Sequence, residues 1–246
     1  MRTSTILNTK LIQNTITNNG KEGPVPYRWS HGANDIEMGD GLLVYSFIQF
    51  IRAKTCVCIG SGGGFIPRIM TQARRDMWEM GVFGGNNDFS WGDIGCTYVV
   101  DANNGIGGPT DISDEESFFR SNFYPRVILE TSEKAFYDFF IRQDIKIDYL
   151  HIDGDHSYEG VKKDFELYST IMNPNGIISI HDTDKDYEST FVVTEDIKKN
   201  FHPFNGPVKF IEELRNNAEW DLVNLKNFRT FTPKVSSTGL TILTKK

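Results

Sequence analysis

Residues Ile147-Asp148-Tyr149-Leu150-His151-Ile152 form a mostly apolar run that favours a β-strand, and Asp153-Gly154-Asp155-His156-Ser157-Tyr158 follow directly. A buried strand that ends in carboxylates, an imidazole and a glycine is typical of a loop that opens on a cleft. A second polar group, His181-Asp182-Thr183, follows a second apolar run at residues 177–180. In an open α/β sheet, ligands bind beyond the carboxyl ends of the strands. If the two strands are neighbours, roughly 5 Å apart, their polar ends converge, and we interpret them as a reaction centre.

The same stretch also has a plainer interpretation, in which a strand is followed by an Asp-Gly turn and a helix cap. The second polar group is what favours a reaction centre, because two such endings on neighbouring strands would meet at one edge of the sheet.

Length and charge narrow the class of protein. A chain of 246 residues fits one large α/β domain with a well-buried core. Its 26 basic and 33 acidic residues give a net charge of -7 without a basic run, which disfavours nucleic acid and anionic membranes as partners. No apolar stretch approaches the ~20 residues that span a bilayer, and the polar start lacks the apolar core of a secretory signal. We expect a small-molecule partner and leave a homo-oligomer open.

The three cysteines favour a reducing compartment. Cys56 and Cys58 alternate along one apolar run, and the chain contains neither a Cys-x-x-Cys pair nor an even number of cysteines. Such cysteines are typical of core packing in a cytoplasmic protein.

A glycine-rich turn lies between a predicted strand at residues 55–59 and a predicted helix at residues 65–75. Its sequence is Gly60-Ser61-Gly62-Gly63-Gly64, and we call it the glycine loop. This order brings backbone N–H groups and a helix N-terminus to a ligand that approaches the main chain closely. The spacing differs from the dinucleotide pattern Gly-x-Gly-x-x-Gly because Phe65 stands at the last position, which disfavours nicotinamide and flavin cofactors.

Asp101 ends the next predicted strand, residues 97–100. A carboxylate at that point can accept hydrogen bonds from both hydroxyls of a ribose, and the alternative is an aspartate that stabilises a turn.

The chain is divided into an arm and one domain. Residues 1–38 are polar and irregular, and Tyr27, Trp29 and His31 can fold from this arm over a site as a lid. Residues 39–246 form the domain. Residues 78–96, rich in Gly, Asn and Trp, are interpreted as an insertion that either shapes a substrate pocket or decorates the surface.

The remaining periodicity predicts an α/β fold, a doubly wound, mostly parallel, seven-stranded sheet with a C-terminal antiparallel hairpin. Asn173-Pro174-Asn175-Gly176 is a stop-and-turn signal before the strand at 177–180. Further strands are predicted at 126–129, 220–231 and 239–244, and further helices at 40–52, 114–123, 133–142, 161–167, 192–200 and 208–217.

Four segments, taken in order, resemble the class I S-adenosylmethionine-dependent methyltransferases: residues 57–64, 99–101, 152–158 and 173–183. The Asp-Gly-Asp-His-Ser-Tyr motif is similar to that of the macrolide and aminocoumarin sugar O-methyltransferases and of cephalosporin-hydroxylase-like proteins. The resemblance covers roughly residues 40–246. It implies a Rossmann-like fold and transfer of a methyl group to a hydroxyl of a small molecule or sugar.

The resemblance also implies a cofactor site. Gly60, Ser61 and Gly62 would flank the amino-acid part of S-adenosylmethionine, Asp101 would hold the ribose hydroxyls, and Ser132 would lie near the adenine.

A divalent metal site is implied next to it. Asp153, which also borders the cofactor, and Asp182 match metal ligands of the sugar O-methyltransferases. His181 stands where metal-dependent members usually carry Asp or Glu. A His-Asp pair suits a transition ion, whereas Mg²⁺ prefers oxygen ligands, so a transition ion, magnesium and no metal all stay open.

The resemblance gives two candidates for the catalytic base, His156 and Asp155. A sugar hydroxyl is a weak acid, so its proton has to be removed by a base or its alkoxide stabilised by a metal. An imidazole with a pKa near ~6.5 is poised for this at neutral pH, unlike an aspartate near ~4, so we choose His156. His151 is interpreted as a satisfied core histidine. A dinucleotide-dependent oxidoreductase acting on a sugar and a non-catalytic binding subunit remain as alternatives.

Overall fold

The computed structural model describes residues 31–33, 38–62, 64–82, 96–103, 125–184, 206–226 and 238–246. The predicted helices at 114–123 and 192–200, and the aromatic residues Tyr27 and Trp29, lie outside these ranges. So does most of the predicted insertion. In the ranges that are described, no helix has the length and apolar character needed to cross a membrane.

Seven strands form one sheet. Their bounds are β1 Cys56–Ile59, β2 Thr97–Val100, β3 Arg126–Ile128, β4 Ile147–Ile152, β5 Met172–His181, β6 Trp220–Leu225 and β7 Leu240–Lys245. The order across the sheet is β3-β2-β1-β4-β5-β7-β6. Strands β1 to β5 pair in parallel, whereas β7 is antiparallel to both β5 and β6. The predicted fold class, including the antiparallel terminal pair, is confirmed.

Helices cover both faces of the sheet. Their bounds are α1 Asp40–Ile51, α2 Phe65–Glu79, α3 Ser132–Ala135 with a π-helical continuation Phe136–Ile141, α4 Tyr158–Tyr168 with a 3₁₀ turn Ser169–Ile171, and α5 Gly206–Leu214. Cys56, Cys58 and Tyr149 point to the face covered by α1 and α2. Val57 and Leu150 point to the opposite face, in the cluster that contains the buried residues of α3, α4 and α5. This alternation is expected of strands buried on both sides.

Several predicted boundaries are wrong. The strand predicted at 220–231 ends at Leu225, and the helix predicted at 208–217 ends at Leu214. Helix α2 runs to Glu79, so the segment interpreted as an insertion from residue 78 starts inside a helix. Strand β5 starts at Met172 and contains the Asn-Pro-Asn-Gly signal. Asn175 has φ +66, and the β4–β5 register shifts between the pairs at Ile147 and Tyr149. The turn residues therefore form an irregularity inside the strand, so pairing starts before the point where the local sequence predicts it.

The parallel strands end in register. Ile59 pairs with Val100 on β2 and with Ile152 on β4, and Ile152 pairs with Ile180 on β5. The residues that follow this apolar row are Gly60, Asp101, Asp153 and His181, which brings the segments singled out from the sequence to one edge of the sheet.

Candidate active site

The glycine loop brings the backbones of β1 and β4 into contact. Gly60 has φ +77, and a Cβ at this position would lie 2.1 Å from the carbonyl oxygen of Asp153. Gly64 also has a positive φ, precedes α2, and donates its N–H to Ser61 O at 2.7 Å. Side chains are strained in this left-handed region and blocked at Gly60, so the turn requires glycine.

Asp101 fastens the glycine loop to the end of β2. The backbone N–H and the hydroxyl of Ser61 donate to Asp101 Oδ2 at 2.9 and 2.5 Å. Asn103 N donates to Oδ1 at 2.8 Å. A carboxylate has about four acceptor positions, so this buried group has about one left for a ligand unless the Ser61 hydroxyl turns away.

Ser132 lies at the start of α3, just beyond β3. Its hydroxyl donates to the carboxylate of Asp164 on α4, and its carbonyl accepts from the hydroxyl of Tyr168 at 2.8 Å. Burial raises the pKa of Asp164 to about 6, although the Ser132 hydrogen bond favours the ionised form. Ser132 therefore joins two helices at the cofactor end of the predicted site.

Two carboxylates and two imidazoles meet beyond β4 and β5. We call Asp153, His156, His181 and Asp182 the Asp153 cluster. His156 Nε2 lies 3.2 Å from Asp153 Oδ1 and 3.0 Å from Asp182 Oδ2. His181 Nδ1 lies 3.2 Å from Asp153 Oδ1 and 3.3 Å from Asp182 Oδ1. The structure thus brings together the four residues predicted from the sequence to act as base and metal ligands.

Mutual attraction governs ionisation in the Asp153 cluster. Burial opposes the charged form of His156, but the charges of Asp182 and Asp153 raise its pKa to about 9. The same two carboxylates raise the pKa of His181 well above its ordinary range despite burial. The assumption that His156 titrates near its ordinary value is therefore wrong for this arrangement. The imidazolium is already stabilised by two neighbouring carboxylates.

Asp182 has a backbone conformation that is uncommon for a residue other than glycine. Its φ is +58, in the left-handed region, which Asp adopts more readily than most residues. Strained residues of this kind concentrate at functional sites.

Asp155, the alternative base, lies apart from these contacts. Its side chain is exposed, Oδ1 accepts the backbone N–H of Ser157 at 2.9 Å, and the carboxylate packs against Gly160. Ser157 in turn caps α4 by accepting the N–H of Gly160 at 3.0 Å. Asp155 therefore serves the start of the helix, whereas His156 faces the carboxylates of Asp153 and Asp182.

Three further residues lie near the Asp153 cluster: His31, which was expected from the sequence to be able to fold over a site, and Asp40 and His151, whose proximity to the cluster was missed. His31 is buried, with its ring centroid 4.1 Å from that of His181. Asp40, at the start of α1, lies 3.6 Å from His181 Nε2. His151 bonds through Nδ1 to Ser179 Oγ at 2.8 Å, but its Nε2 is buried without a hydrogen-bond partner among the described residues. It is therefore not the satisfied core histidine that was predicted.

A signal for His151 was available in the sequence. Residues two apart on a strand lie on the same face. The sequence therefore places His151 on the same face of the sheet as Asp153. Burial lowers the pKa of His151 to about 4, which keeps it neutral. No pattern in the sequence links His31 to the sheet.

Residues 57–183 match the family model described as "Methyltransferase domain", which is more than half of the 246-residue chain. The chain belongs to this methyltransferase family. Every site residue predicted from the sequence, from Gly60 to Asp182, lies inside the matched segment, whereas His31 and Asp40 lie before it.

Solved structures of methyltransferases have the same fold. An O-methyltransferase from Bacillus cereus in complex with SAH aligns with a TM-score of 0.62 and 14% identity, over 99% of this chain and 94% of that chain. The SAH-bound methyltransferase PaMTH1 of Podospora anserina gives 0.62 and 14%, over 98% and 89%. The O-methyltransferase TomG of Streptomyces achromogenes, which is involved in tomaymycin synthesis and was solved with SAM, gives 0.60 and 11%, over 100% and 91%.

One curated relative matches a shorter segment. The uncharacterized protein y4gI of Sinorhizobium fredii is 34% identical over 61 residues, which is 25% of this methyltransferase and 6% of y4gI. This chain thus spans a small fraction of the length of that relative.

Proposed function

We propose that this methyltransferase uses S-adenosylmethionine to methylate a hydroxyl group on a small molecule or sugar. The observation that carries the proposal is the juxtaposition of two groups at one edge of the sheet. The glycine loop and Asp101 lie at the ends of β1 and β2, and the Asp153 cluster lies at the ends of β4 and β5. The first group suits a cofactor with a ribose, and the second suits the removal of a proton.

The residues at β1 and β2 fit the cofactor. The glycine loop has no side chain at Gly60, and Asp101 is a buried carboxylate beside it. S-adenosylmethionine would supply an electrophilic methyl group. The contribution of the glycine loop and Asp101 is to hold the cofactor so that this methyl lies in line with the acceptor oxygen, and such positioning can be worth ~7–11 kcal/mol.

His156 is the proposed base. It is half-buried, whereas His181 is fully buried, so His156 is the imidazole of the cluster that an acceptor can reach. In the neutral form of His156, Asp153 and Asp182 hold the proton of Nε2, so Nδ1 would take the proton of the hydroxyl. Where no cation neutralises them, the two carboxylates stabilise the imidazolium that forms. Because the raised pKa of about 9 makes the neutral ring the minor form at pH 7, this role requires the rate to rise with pH towards that value.

A divalent ion at Asp153, His181 and Asp182 is a second part of the proposal. Each of these residues offers a ligand atom, and these atoms lie within 4.8 Å of one another. Two oxygens and one nitrogen suit a borderline transition ion better than Mg²⁺. A bound cation would offset the charge of the two carboxylates and stabilise a developing alkoxide.

Charge and cysteine chemistry support the proposed partners and compartment. The net charge of -7 supports an uncharged or cationic small-molecule acceptor over nucleic acid or an anionic membrane. All three cysteines are free thiols, and Cys56 and Cys58 are buried, which supports a reducing, cytoplasmic location.

Calorimetry with S-adenosylhomocysteine, with NAD as the comparison ligand, tests the cofactor. A panel of sugars and aliphatic alcohols with methyl-labelled S-adenosylmethionine then tests the reaction. We expect binding of S-adenosylhomocysteine without binding of NAD, and label transfer to at least one hydroxyl acceptor. Binding of NAD instead, or tight cofactor binding without transfer to any hydroxyl, would contradict the proposal.

The ion at Asp182 has its own test. Metal content and thermal unfolding are measured before and after exhaustive chelation, for the native protein and for Asp182→Asn. We expect chelation to lower the thermal midpoint of the native protein more than that of Asp182→Asn. Equal responses, or no response in either protein, would remove the ion from this position.

A further inference from the structure

A second group of metal-ligand side chains borders the Asp153 cluster. His31, His151 and Asp153 each offer one ligand atom, and these atoms all lie within 4.8 Å of one another. His31 Nε2 lies 3.6 Å from Asp153 Oδ2, whereas the closest contacts of Asp153 with His156 and His181 use Oδ1. The two oxygens of Asp153 therefore face two different sets of side chains.

The hydrogen bonds of His151 leave one ring nitrogen available. Ser179 Oγ lies 2.8 Å from His151 Nδ1, accepts from the Tyr149 hydroxyl at 2.9 Å, and donates to Leu150 O at 3.3 Å. A hydroxyl donates one hydrogen bond and accepts two, so the fully satisfied network places the imidazole proton on Nδ1. Nε2 then carries the lone pair, and it is the buried atom without a hydrogen-bond partner in the described part of the chain.

An imidazole in this state is what a metal ion requires. A buried polar nitrogen without a partner costs free energy. Histidines that ligate metals almost always hold the other ring nitrogen in a hydrogen bond that fixes the tautomer. For His151, Ser179 supplies that bond.

We propose that His31, His151 and Asp153 form a binding site for a divalent transition metal ion of the Zn²⁺, Co²⁺ or Fe²⁺ type. Two nitrogens and one carboxylate oxygen favour these ions over Mg²⁺, which prefers oxygen ligands. Ligand bonds of ~2.0–2.2 Å allow ligand atoms up to about 4.4 Å apart, so closure around an ion needs shifts of a few tenths of an ångström. Three protein ligands leave a coordination position for a water or another ligand.

The backbone before α1 holds His31 in place for this role. The N–H of Asp40 donates to His31 O at 2.8 Å. Gly39 has φ +48, and a Cβ there would lie 2.0 Å from the same oxygen. The ring of Phe65 on α2 packs against His31, with centroids 5.6 Å apart. An ion at this site would link the segment before α1 to strand β4.

A third possible set, His31, Asp40 and His181, is a weaker candidate. The ring nitrogen of His181 that faces Asp40 is Nε2, and it is already engaged by another side chain. Nδ1 contacts Asp153 and Asp182, and Nε2 lies 3.0 Å from Thr238 Oγ1. The proposed metal site at His151 does not depend on the proposed methyl transfer. It shares only one of its three ligands, Asp153, with the metal site proposed at Asp182.

The test is a Co²⁺ titration of the metal-free protein, followed by visible absorption and calorimetry. We expect saturable binding with ligand-field bands, which excess Mg²⁺ does not displace. His31→Ala and His151→Gln should each weaken Co²⁺ binding by more than about 10-fold, since loss even of a group that only supports a ligand costs that much. Asp182→Asn removes a ligand of the ion proposed at Asp182, so this matched control should keep the Co²⁺ whose binding depends on His31 and His151.

Two outcomes would overturn the proposal. One is a Co²⁺ affinity that neither His31→Ala nor His151→Gln changes. The other is a loss of Co²⁺ binding in Asp182→Asn alone, which assigns the ion to the other set. Cooperative thermal unfolding shows that each variant is folded. If His151→Gln does not fold, His31→Ala still tests the proposal, because His31 lies outside the sheet. S-adenosylhomocysteine binding by the metal-free protein is measured separately, so failure of the cofactor proposal is distinguished from failure of this one.

Discussion

The two halves of the candidate site are held together by different interactions. Between β1 and β2, one carboxylate, Asp101, accepts three hydrogen bonds from the glycine loop and its own turn. Between β4 and β5, two carboxylates face two imidazoles whose pKa values they raise. In the first half, hydrogen bonds fix the backbone of the glycine loop. In the second half, the charges of two carboxylates and two imidazoles offset each other. Substitutions should therefore change ligand affinity in the first half and rate or protonation in the second.

The largest expected effect is on the rate when the base is removed. His156→Ala should lower kcat by about 10²–10⁴-fold, with nearly unchanged affinity for S-adenosylhomocysteine, because the proton acceptor is lost while the cofactor half is untouched. Steady-state kinetics on an accepted hydroxyl substrate and calorimetry separate the two quantities.

Asp155→Asn is the matched control for His156. The carboxylate of Asp155 is exposed and accepts the backbone N–H of Ser157, the residue that caps α4, so the change should cost much less activity. A nearly inactive Asp155→Asn together with a mild His156→Ala would transfer the role of base to Asp155.

The contact between the two halves should be sensitive to one added methyl group. Gly60→Ala places a Cβ 2.1 Å from Asp153 O at φ +77, and strain plus overpacking should lower the free energy of unfolding by about 2–5 kcal/mol. Denaturant unfolding measures this. Gly154→Ala is the control from the same contact, since its Cβ would meet the Ile59 side chain at 3.2 Å. Equal losses in both variants would show that the approach of the two backbones is not what requires glycine.

The cofactor half should show its effect in binding. Asp101→Ala leaves ribose hydroxyls and the donors of Ser61 without an acceptor, so S-adenosylhomocysteine should bind about 1–3 kcal/mol more weakly in calorimetry. Asp101→Asn keeps one oxygen acceptor and should lose less. An unchanged affinity in Asp101→Ala would place the ribose elsewhere.

A further expected effect is a pH dependence of stability at Asp164. Its pKa rises from the ordinary 3.8 to about 6 in the folded protein, so the folded state binds more protons between about pH 4 and pH 6 than the unfolded state. Stability from this group should decrease as pH rises through that window, by up to about 3 kcal/mol. Asp164→Asn should flatten the slope relative to the native protein. The free energy of unfolding of both proteins is measured with urea at pH 4, 5, 6 and 7. The same dependence on pH in the native protein and in Asp164→Asn would contradict this prediction.

The sequence predicted the fold well where the pattern of apolar residues and the length of the run both indicate the same type of element. Strands β1, β2 and β4 are short apolar runs bounded by polar or glycine residues, so their ends are readable to within a residue. The start of β5 was missed because the strand contains Pro174 and Asn175, which locally favour a turn and lie in the register shift between the Ile147–Met172 and Tyr149–Ile177 pairs. Tertiary pairing overrides the local preference there.

The site was predictable where it follows from strand ends. Asp153, His156, His181 and Asp182 converge because parallel neighbouring strands finish at one edge. Properties that depend on contacts across the fold were not predictable. The raised pKa of His156 needs the distance to Asp182, and the position of His31 depends on a turn against α1 that no local pattern predicts.

The apolar row Ile59, Val100, Ile152 and Ile180 constrains how this protein can change over evolutionary time. Side chains alternate between the faces of a strand, so one residue inserted or deleted within β4 would turn Asp153 and His151 to the opposite layer and bring Ile152 towards the ligands. Substitutions beyond the row can alter the chemistry, and loops can lengthen to admit new acceptors. Changes of length within the strands themselves would be purged by selection, even where almost any apolar residue is tolerated.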